Sequence, residues 1–361
     1  MTALPTRTRS GLLTTGALLA ATSLFLAGCT SNEAPAAEEE AAPADNASGA
    51  PAAGGGNAND ETGDTVTIGF SGPAADHGWL AAINSAALAE AEKYDDVELL
   101  AAEGTNDPSL QISQIETFIN DGVDAIVLLP TDGAALTDIA IQAMEAGIPV
   151  INVDREFSDP AAARTTILGD NYGMGFSAGT YACQLVEEDG LGAEAVIAEI
   201  PGIDSLPLTQ DRSQGFADAL ETCDQEVDNR VPAEFTVESG EAAASQLAQA
   251  APQIDILWNH DDDQGIGVLA GFDNAGRDEF KYIGGAGSAN AMRSIQAGDI
   301  EATVLYPPTQ AADGIRLARL IAQAKGMGDL VQPEVPKRIV LNAPVVTAEN
   351  VEQYLPLGFE S

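Results

Sequence analysis

From residue 65 onward, short apolar runs rich in β-branched residues alternate with longer Ala-rich stretches. Nine such runs predict strands, which begin at Thr65, Val97, Ala125, Pro149, Thr165, Ala195, Asp255, Lys281 and Glu301. The Ala-rich stretches predict helices, for example those that begin at Leu80, Ser113, Ala135, Ser213 and Gly314. Apolar strands separated by helices are typical of parallel sheets covered on both faces, so the pattern predicts an α/β fold.

Two segments of the chain repeat the same order of elements. Residues 122–154 and 253–287 both run from an Asp through an apolar strand, a polar turn and a helix to a second strand. The chain has 361 residues, 45% of them hydrophobic, which is more than a single core usually holds. We therefore predict two doubly wound parallel-sheet lobes. Ligands of such sheets collect beyond the carboxyl ends of the strands, here in the cleft between the lobes.

The first thirty residues have the pattern of an export signal. Two arginines precede an apolar run over residues 11–27, which ends in the sequence LAGC at Cys29. The pattern resembles a bacterial lipoprotein signal peptide, with residues 1–28 removed and lipid attached to Cys29. A plain secretory signal or a short membrane helix is the alternative. We expect an extracytoplasmic protein, lipid-anchored at the outer face of the cell membrane or periplasmic.

Acidic residues dominate the composition. Residues 29–64 contain much Ala, Gly, Pro and acid but no aromatic residue, Lys or Arg, so they predict a disordered tether. The whole chain holds 56 Asp and Glu against 15 Lys and Arg, a formal net charge of −41. This charge would repel a phosphate backbone and argues against a nucleic-acid partner. We interpret it as a surface adaptation for solubility or salt.

The chain lacks the common motifs of catalysis and cofactor binding. The glycines after the first predicted strand do not have the dinucleotide-binding spacing, and Walker and Gly-x-Ser-x-Gly sequences are absent. The two histidines, His77 and His260, fall on different lobes, so they would share a metal only after closure. We expect no cofactor, no metal and no enzyme activity. If Cys29 carries lipid, Cys183 and Cys223 form a disulfide or remain as two buried free thiols.

Polar and aromatic side chains follow several predicted strands. They are Ser71, Asp76, His77, Trp79, Thr131, Asp132, Asp154, Arg155, Asn259, His260, Asp261, Asp262 and Tyr306. Asp154 and Arg155 come directly after a strand, which predicts that they face the cleft; a surface turn is the alternative. Carboxylates and a guanidinium match the hydroxyls of a sugar, and aromatic rings stack on its C–H faces. The set predicts binding without a nucleophile and leaves the ligand class open.

The order of these segments resembles the ribose-binding-protein branch of bacterial solute-binding proteins. The matching segments begin at Ser71 (SGPAADHGWL), Leu128 (LLPTD), Ile148 (IPVINVDRE), Gly169 (GDN), Gln210 (QDRSQGF), Trp258 (WNHDDDQGIGVL), Ile283 (IGGAG) and Glu301 (EATVLYPP). The resemblance implies a three-crossover hinge, with residues 65–169 and 307–338 in lobe 1 and residues 170–306 and 339–361 in lobe 2. It further implies a monomer that closes over a sugar and delivers it to an ABC-type permease.

The resemblance also assigns roles to individual residues. Asp154 and Arg155 match a pair that grips sugar hydroxyls, and Trp79 matches an aromatic residue that stacks on the sugar ring. The remaining expected ligand-binding residues are His77, Phe235, Asp261, Asn259, Gln210 and Tyr306. Each has a structural alternative that the sequence leaves open. Trp79 would pack in the core, His77 would cap a helix, and Asp261 to Asp263 would include helix caps. Arg212 is expected to pair with Asp211 or to pack rather than to touch ligand.

Four positions depart from the family pattern. Leu129 lies where Asn is common, Gln210 where a second Arg is expected, Ala286 where a carboxylate is expected, and Tyr306 where an amide is common. Several hydrogen bonds of a ribose site would therefore be missing. A different sugar, a cyclitol or a less hydroxylated derivative fits equally well. Two other functions stay open: a sensor that presents its closed form to a signalling partner, and an enzyme that turns over a bound sugar.

Overall fold

The computed structural model describes residues 59–325 and 335–360, which form two six-stranded sheets. The first sheet is parallel throughout. In spatial order it contains β2 (Val97–Ala101), β1 (Val66–Ser71), β3 (Ala125–Leu128), β4 (Val150–Val153), β5 (Thr165–Gly169) and β11 (Arg338–Leu341). The predicted signal peptide, Cys29 and the tether up to residue 58 lie outside the described residues.

The second sheet repeats this arrangement with one antiparallel edge. In spatial order it contains β7 (Asn229–Arg230), β6 (Ile197–Ile200), β8 (Ile256–Asn259), β9 (Lys281–Ala286), β10 (Ala302–Leu305) and β12 (Val345–Thr347). β12 pairs antiparallel with β10, and the other pairs are parallel. The predicted α/β fold with two doubly wound lobes is confirmed, and each of the nine predicted strands contains an observed one.

Helices cover both sheets. The first lobe has α1 (Gly78–Ala91), α2 (Pro108–Asp121), α3 (Gly133–Glu145) and α9 (Gln310–Ala322). The second has α4 (Asn171–Asp189), α5 (Pro207–Glu221), α6 (Val237–Ala250), α7 (Asp262–Asn274), α8 (Ala289–Ala297) and α10 (Val351–Tyr354). Asp107, Asp132, Asp170, Asp261 and Ser288 each precede a helix and accept hydrogen bonds from its first-turn N–H groups. The sequence thus fixes where these helices begin. Within the described ranges, every helix is too short or too polar to span a bilayer.

The chain passes between the lobes three times. It leaves the first sheet after β5, returns after β10 to form α9, and leaves again between β11 and β12. The predicted last boundary, between residues 338 and 339, falls inside β11. Because β11 pairs with β5 from Arg338 to Leu341, the whole strand belongs to the first sheet and the crossing comes after residue 341.

Two further features stabilise the lobes. Cys183 on α4 and Cys223 just after α5 are joined by a disulfide in the second lobe. In the first lobe Arg319 on α9 forms a buried ion pair with Asp96, with Nε 2.6 Å from Oδ1. The Arg319 guanidinium also donates to the backbone carbonyls of Asn59 and Glu61. The chain is therefore fastened to the first lobe from residue 59 onward.

Candidate functional site

A cavity lies between the lobes, at the carboxyl ends of both sheets. About 340 Å³ of it, including the part open to solvent, is free of protein atoms. It is lined by His77, Trp79, Asp154, Arg155, Leu208, Arg212, Phe235, Asp261, Ala286 and Tyr306. Seven of the nine residues expected to bind ligand thus come together from segments more than 200 residues apart.

Asp154 and Arg155 form the charged wall of this cavity in the first lobe. Asp154 follows β4 and is 4% exposed, and its Oδ1 accepts a hydrogen bond of 2.7 Å from the Tyr306 hydroxyl. Arg155 Nη1 donates to the carbonyl of Thr131 at 2.9 Å, and burial lowers the pKa of the guanidinium. Its Nε is buried without a hydrogen-bond partner among the described residues and lies 4.0 Å from Asp154. The pair is buried in the cleft, so the surface-turn alternative does not describe it.

Backbone strain is concentrated at the cavity. Asp154 (φ 62°), Phe235 (φ 65°) and Ala286 (φ 82°) all have left-handed backbones although none is glycine. Such conformations cost about 1–3 kcal/mol each and cluster at functional sites, where they aim side chains that a relaxed backbone would not. At Asp154 the strained residue directly follows a fully buried strand, so the turn directs the carboxylate into the cleft.

Aromatic rings form the opposite walls. The rings of Trp79 and Tyr306 lie 5.5 Å apart, and those of His77 and Phe235 lie 6.2 Å apart and nearly parallel. Arg212 places its guanidinium carbon 4.6 Å from the centre of the Tyr306 ring, a cation–π contact. Burial, together with the neighbouring Asp154 carboxylate, raises the pKa of Tyr306, so its hydroxyl remains a hydrogen-bond donor.

Glycine makes room for two of these rings. A Cβ at residue 169 would overlap the Tyr306 ring, and one at residue 202 would overlap the Phe235 ring. Gly169 is the last residue of β5, and Gly202 closely follows β6. In each lobe, a glycine at or just after a strand end therefore leaves room for an aromatic ring from elsewhere in the chain.

The three consecutive carboxylates of the second lobe, Asp261 to Asp263, are occupied by the fold. Asp261 caps α7 through the backbone N–H groups of Asp263 and Gln264, and burial and the nearby Asp263 carboxylate raise its pKa well above the ordinary value. Asp263 accepts a 3.2 Å hydrogen bond from the backbone N–H of Trp79 in the other lobe. The expectation that this run includes helix caps describes Asp261, which both caps α7 and lines the cavity.

The lobes also meet through Trp79. Its indole Nε1 donates to the carbonyl of Tyr306 at 3.0 Å, next to the second crossing. The ring is 6% exposed and belongs both to the cavity wall and to the hydrophobic core of the first lobe. The two alternatives considered for Trp79 are therefore not exclusive.

Two residues expected at the site lie elsewhere. Gln210 is exposed and donates to the carbonyl of Asp204, away from the cavity. Asn259 is fully buried and accepts a 2.6 Å hydrogen bond from Gln264, so it holds the turn before α7 rather than facing the cavity.

His77 occupies the N-cap position of α1, but its side chain makes no cap hydrogen bond there.

Arg212 lines the cavity, although the sequence led us to expect pairing with Asp211 or packing rather than ligand contact. Its Nε donates to Asn171 at 2.8 Å and its Nη1 to the carbonyl of His260 at 3.3 Å, so it packs against buried groups as well as lining the cavity. Leu208, one helical turn earlier on α5, lines the same cavity. The four-residue spacing puts both on one face of the helix, a signal available once α5 is known to begin at Pro207.

His260 does not approach His77. It is completely buried behind the cavity, with Nε2 2.8 Å from Glu199, and burial lowers its pKa. Across residues 59–325 and 335–360, no cluster of three or more His, Cys, Asp or Glu side chains has the arrangement of a metal site.

Comparisons with known proteins agree with this geometry. The family profile of the periplasmic binding protein domain matches residues 68–326. The ribose import binding protein RbsB of Bacillus subtilis is 29% identical over 256 residues, covering 69% of this chain and 81% of that protein.

Two solved structures have the same fold. A Mycobacterium smegmatis protein in complex with β-D-fucofuranose is 25% identical with a TM-score of 0.72, covering 81% of this chain and 94% of its own. The fructose-binding periplasmic domain of a hybrid two-component system is 26% identical with a TM-score of 0.70, covering 81% and 93%.

Proposed function

The chain belongs to the periplasmic binding protein family, and we propose that it captures a sugar or related polyol between its lobes and delivers it to an ABC-type permease. The observation that carries the proposal is Arg155. Its buried Nε lacks a hydrogen-bond partner among the described residues, and the residue lines a small cavity walled by aromatic rings. A buried donor of this kind costs free energy unless a ligand oxygen pairs with it.

The remaining cavity groups suit the same ligand class. Asp154 would accept hydrogen bonds from neighbouring hydroxyls, while Arg155 and Arg212 would donate to hydroxyl and ring oxygens. Trp79 and Phe235 would stack on the apolar C–H faces of the ring. Binding and release of an unchanged ligand need no nucleophile, in agreement with a family of binding proteins.

The ligand need not be ribose. Ala286 lines the cavity where the family resemblance led us to expect a carboxylate, so one acceptor for ligand hydroxyls is missing. Arg212, in contrast, supplies the guanidinium that the resemblance placed at residue 210. A sugar or cyclitol with fewer hydroxyls toward Ala286 fits this arrangement.

A thermal-shift screen of the body from residue 59 against pentoses, hexoses, inositols and sugar alcohols tests the proposal. A ligand at about 100 times its Kd stabilises the folded state by about 2.7 kcal/mol, which raises the melting temperature by a measurable amount. If no carbohydrate shifts the transition while an amino acid or nucleoside does, the ligand class is wrong.

A sensory role is the second candidate, because one similar structure is the fructose-binding domain of a two-component system. Both roles use the same closed form, so the site does not separate them. Deletion of the gene for this chain would abolish uptake of the ligand under the transport proposal. Under the sensory proposal, uptake would persist and a ligand-dependent transcriptional response would be lost with this chain.

We further propose that Cys29 carries the lipid anchor and that residues 29–58 tether the body to the outer face of the membrane; the predicted tether ends at residue 58 rather than 64, because residues 59–64 are hydrogen-bonded to the first lobe. The LAGC sequence supports this placement. Cys29→Ser should move the protein from the detergent phase to the aqueous phase in a phase-partitioning assay, or leave it with its signal peptide attached. Unchanged partitioning of the variant would contradict the anchor.

A further inference from the structure

A second cavity between the lobes adjoins the first. The turn after β4, including Glu156, Phe157 and Ser158, forms its wall in the first lobe, and residues 205–208 with Asp211 form its wall in the second. About 900 Å³ of it is free of protein atoms. We call it the outer cavity, and the cavity of about 340 Å³ beside Trp79 the inner cavity.

The two cavities share part of their walls. Asp154, Arg155 and Leu208 line both. Because Arg155 borders both spaces, a ligand that extends from one into the other would pass this side chain. The outer cavity is the larger of the two, so a ligand unit that extends beyond the inner cavity would enter it.

The outer cavity has a mixed lining. Leu206, Leu208 and Phe157 are buried apolar side chains, and Ser205 and Ser158 bring hydroxyls. This mixture of apolar and hydroxyl-bearing side chains matches a ligand unit that has apolar C–H faces and a polar rim.

Its charge is negative. Asp132 and Glu156 line it together with Asp211, and burial together with Glu156 raises the pKa of Asp211. Arg338 offsets one of these charges through its ion pair with Glu156 at 3.0 Å. An anionic unit would be repelled from this lining, whereas an uncharged unit would not.

We infer that the outer cavity is a second subsite, and that the chain binds an uncharged glycoside with its glycosyl unit in the inner cavity. The substituent on the anomeric oxygen, a second sugar or an aromatic aglycone, occupies the outer cavity. This inference rests on the proposed function, since it presumes a sugar unit beside Trp79.

Calorimetric titration with matched pairs tests it. The probes are D-ribose, L-arabinose, D-galactose and D-fucose, each beside its 4-nitrophenyl glycoside. For the sugar that binds, we expect the glycoside to bind at least about tenfold more tightly, because it gains the contacts of the outer cavity.

Variants that fill the outer cavity make the test specific. Ser205→Trp and, on the opposite wall, Ala134→Trp should remove the advantage of the glycoside and leave the free sugar within about threefold of its original Kd, a difference under 1 kcal/mol. Ser245→Trp is the matched control, because residue 245 is exposed on α6 and lies outside both cavities. It should leave both affinities unchanged.

The outcomes separate the two proposals. If neither member of any pair binds, the subsite is wrong, and the wider thermal-shift screen decides whether the proposed function fails as well. If a free sugar binds but its glycoside binds equally or more weakly, the proposed function stands and the subsite is wrong. A glycoside advantage that survives both Trp variants would also contradict the subsite, because the substituent would then lie elsewhere.

Discussion

Both lobes place carboxylates beyond strands that end at the cleft, but they use them differently. Asp154 follows β4 in the first lobe, where its side chain meets the Tyr306 hydroxyl and, at 4.0 Å, Arg155. Asp262 follows β8 in the second lobe. It accepts hydrogen bonds from the backbone N–H groups of Gly285 and Ser288 and from the Thr303 hydroxyl.

The difference separates a carboxylate available to a ligand from one that maintains the fold. At Asp154 the backbone is strained and the carboxylate retains free lone pairs. Part of the free-energy cost of this turn is therefore offset only when another group binds to the carboxylate. At Asp262 the hydrogen bonds hold β9, β10 and the start of α8 together. A carboxylate beyond a strand end therefore does not by itself indicate a ligand-binding role.

Removal of the charged wall in the first lobe should have the largest effect. Arg155→Ala should weaken binding of the ligand found in the screen by at least about 30-fold, since the loss of a buried charged hydrogen bond costs about 2–5 kcal/mol. The melting temperature without ligand should stay within a few degrees. Titration calorimetry measures the affinity, with Arg338→Ala, which breaks an exposed ion pair, as control. An affinity within about threefold of the wild type would return this pair to a purely structural role.

Removal of the Asp262 carboxylate in the second lobe should lower stability rather than ligand affinity. Asp262→Ala leaves two buried backbone N–H groups and the Thr303 hydroxyl without their acceptor, at a cost of about 2–4 kcal/mol in the free energy of unfolding. Urea denaturation measures this loss, and Asp273→Ala, an exposed change on the same helix, provides the baseline. A variant that keeps wild-type stability but loses binding would reverse the contrast between the lobes.

The pH dependence sharpens the same comparison. Burial raises the pKa of Asp262 to about 7, whereas an unfolded chain has an Asp pKa of about 3.9. Between these values the folded state holds the extra proton, so this group contributes stability that falls as pH rises from about 4 to 7. Asp262→Asn does not titrate. The wild type should therefore exceed this variant in melting temperature by more near pH 5 than near pH 8. A difference in melting temperature that widens with rising pH would contradict the assignment.

The smallest expected effect concerns the hydroxyl that links Asp154 to the second crossing. Tyr306→Phe keeps the aromatic wall but removes the 2.7 Å hydrogen bond to Asp154. We expect affinity to fall about fivefold, equivalent to about 1 kcal/mol, because the carboxylate becomes less well oriented. Isothermal titration measures the change, and Tyr181→Phe, outside both cavities, is the control. A loss as large as that of Arg155→Ala would mean that Tyr306 contacts the ligand itself.

The central strands could be predicted because they are continuous apolar runs. The strands β7, β11 and β12 were not predicted, and all three lie at sheet edges, where they are short and largely solvent-accessible. Strands of two to four residues lie at or below the run length that predicts a strand, even where their residues are apolar as in β11 and β12.

The site could be predicted where a residue directly follows a strand, as Asp154 and Arg155 do, because the topology of a parallel sheet fixes where strand ends meet. The position of Arg212 in the cavity wall could not be predicted because it lies on a helix. Which face of α5 turns to the cleft depends on how that helix packs against α4, which a single sequence does not specify. Asn259 shows the opposite case. It lies at a strand end but does not line the cavity, because its side chain accepts a hydrogen bond within the short turn before α7.

The attachment of the chain at residue 59 has a mechanical consequence. Arg319 grips the carbonyls of Asn59 and Glu61 through a guanidinium that is itself locked to Asp96, all on the first lobe. A pull along the preceding chain is therefore carried by α9 and β2, and none of it passes through the three crossings. With the chain held at a surface, the first lobe would stay in place and the second lobe would move relative to it.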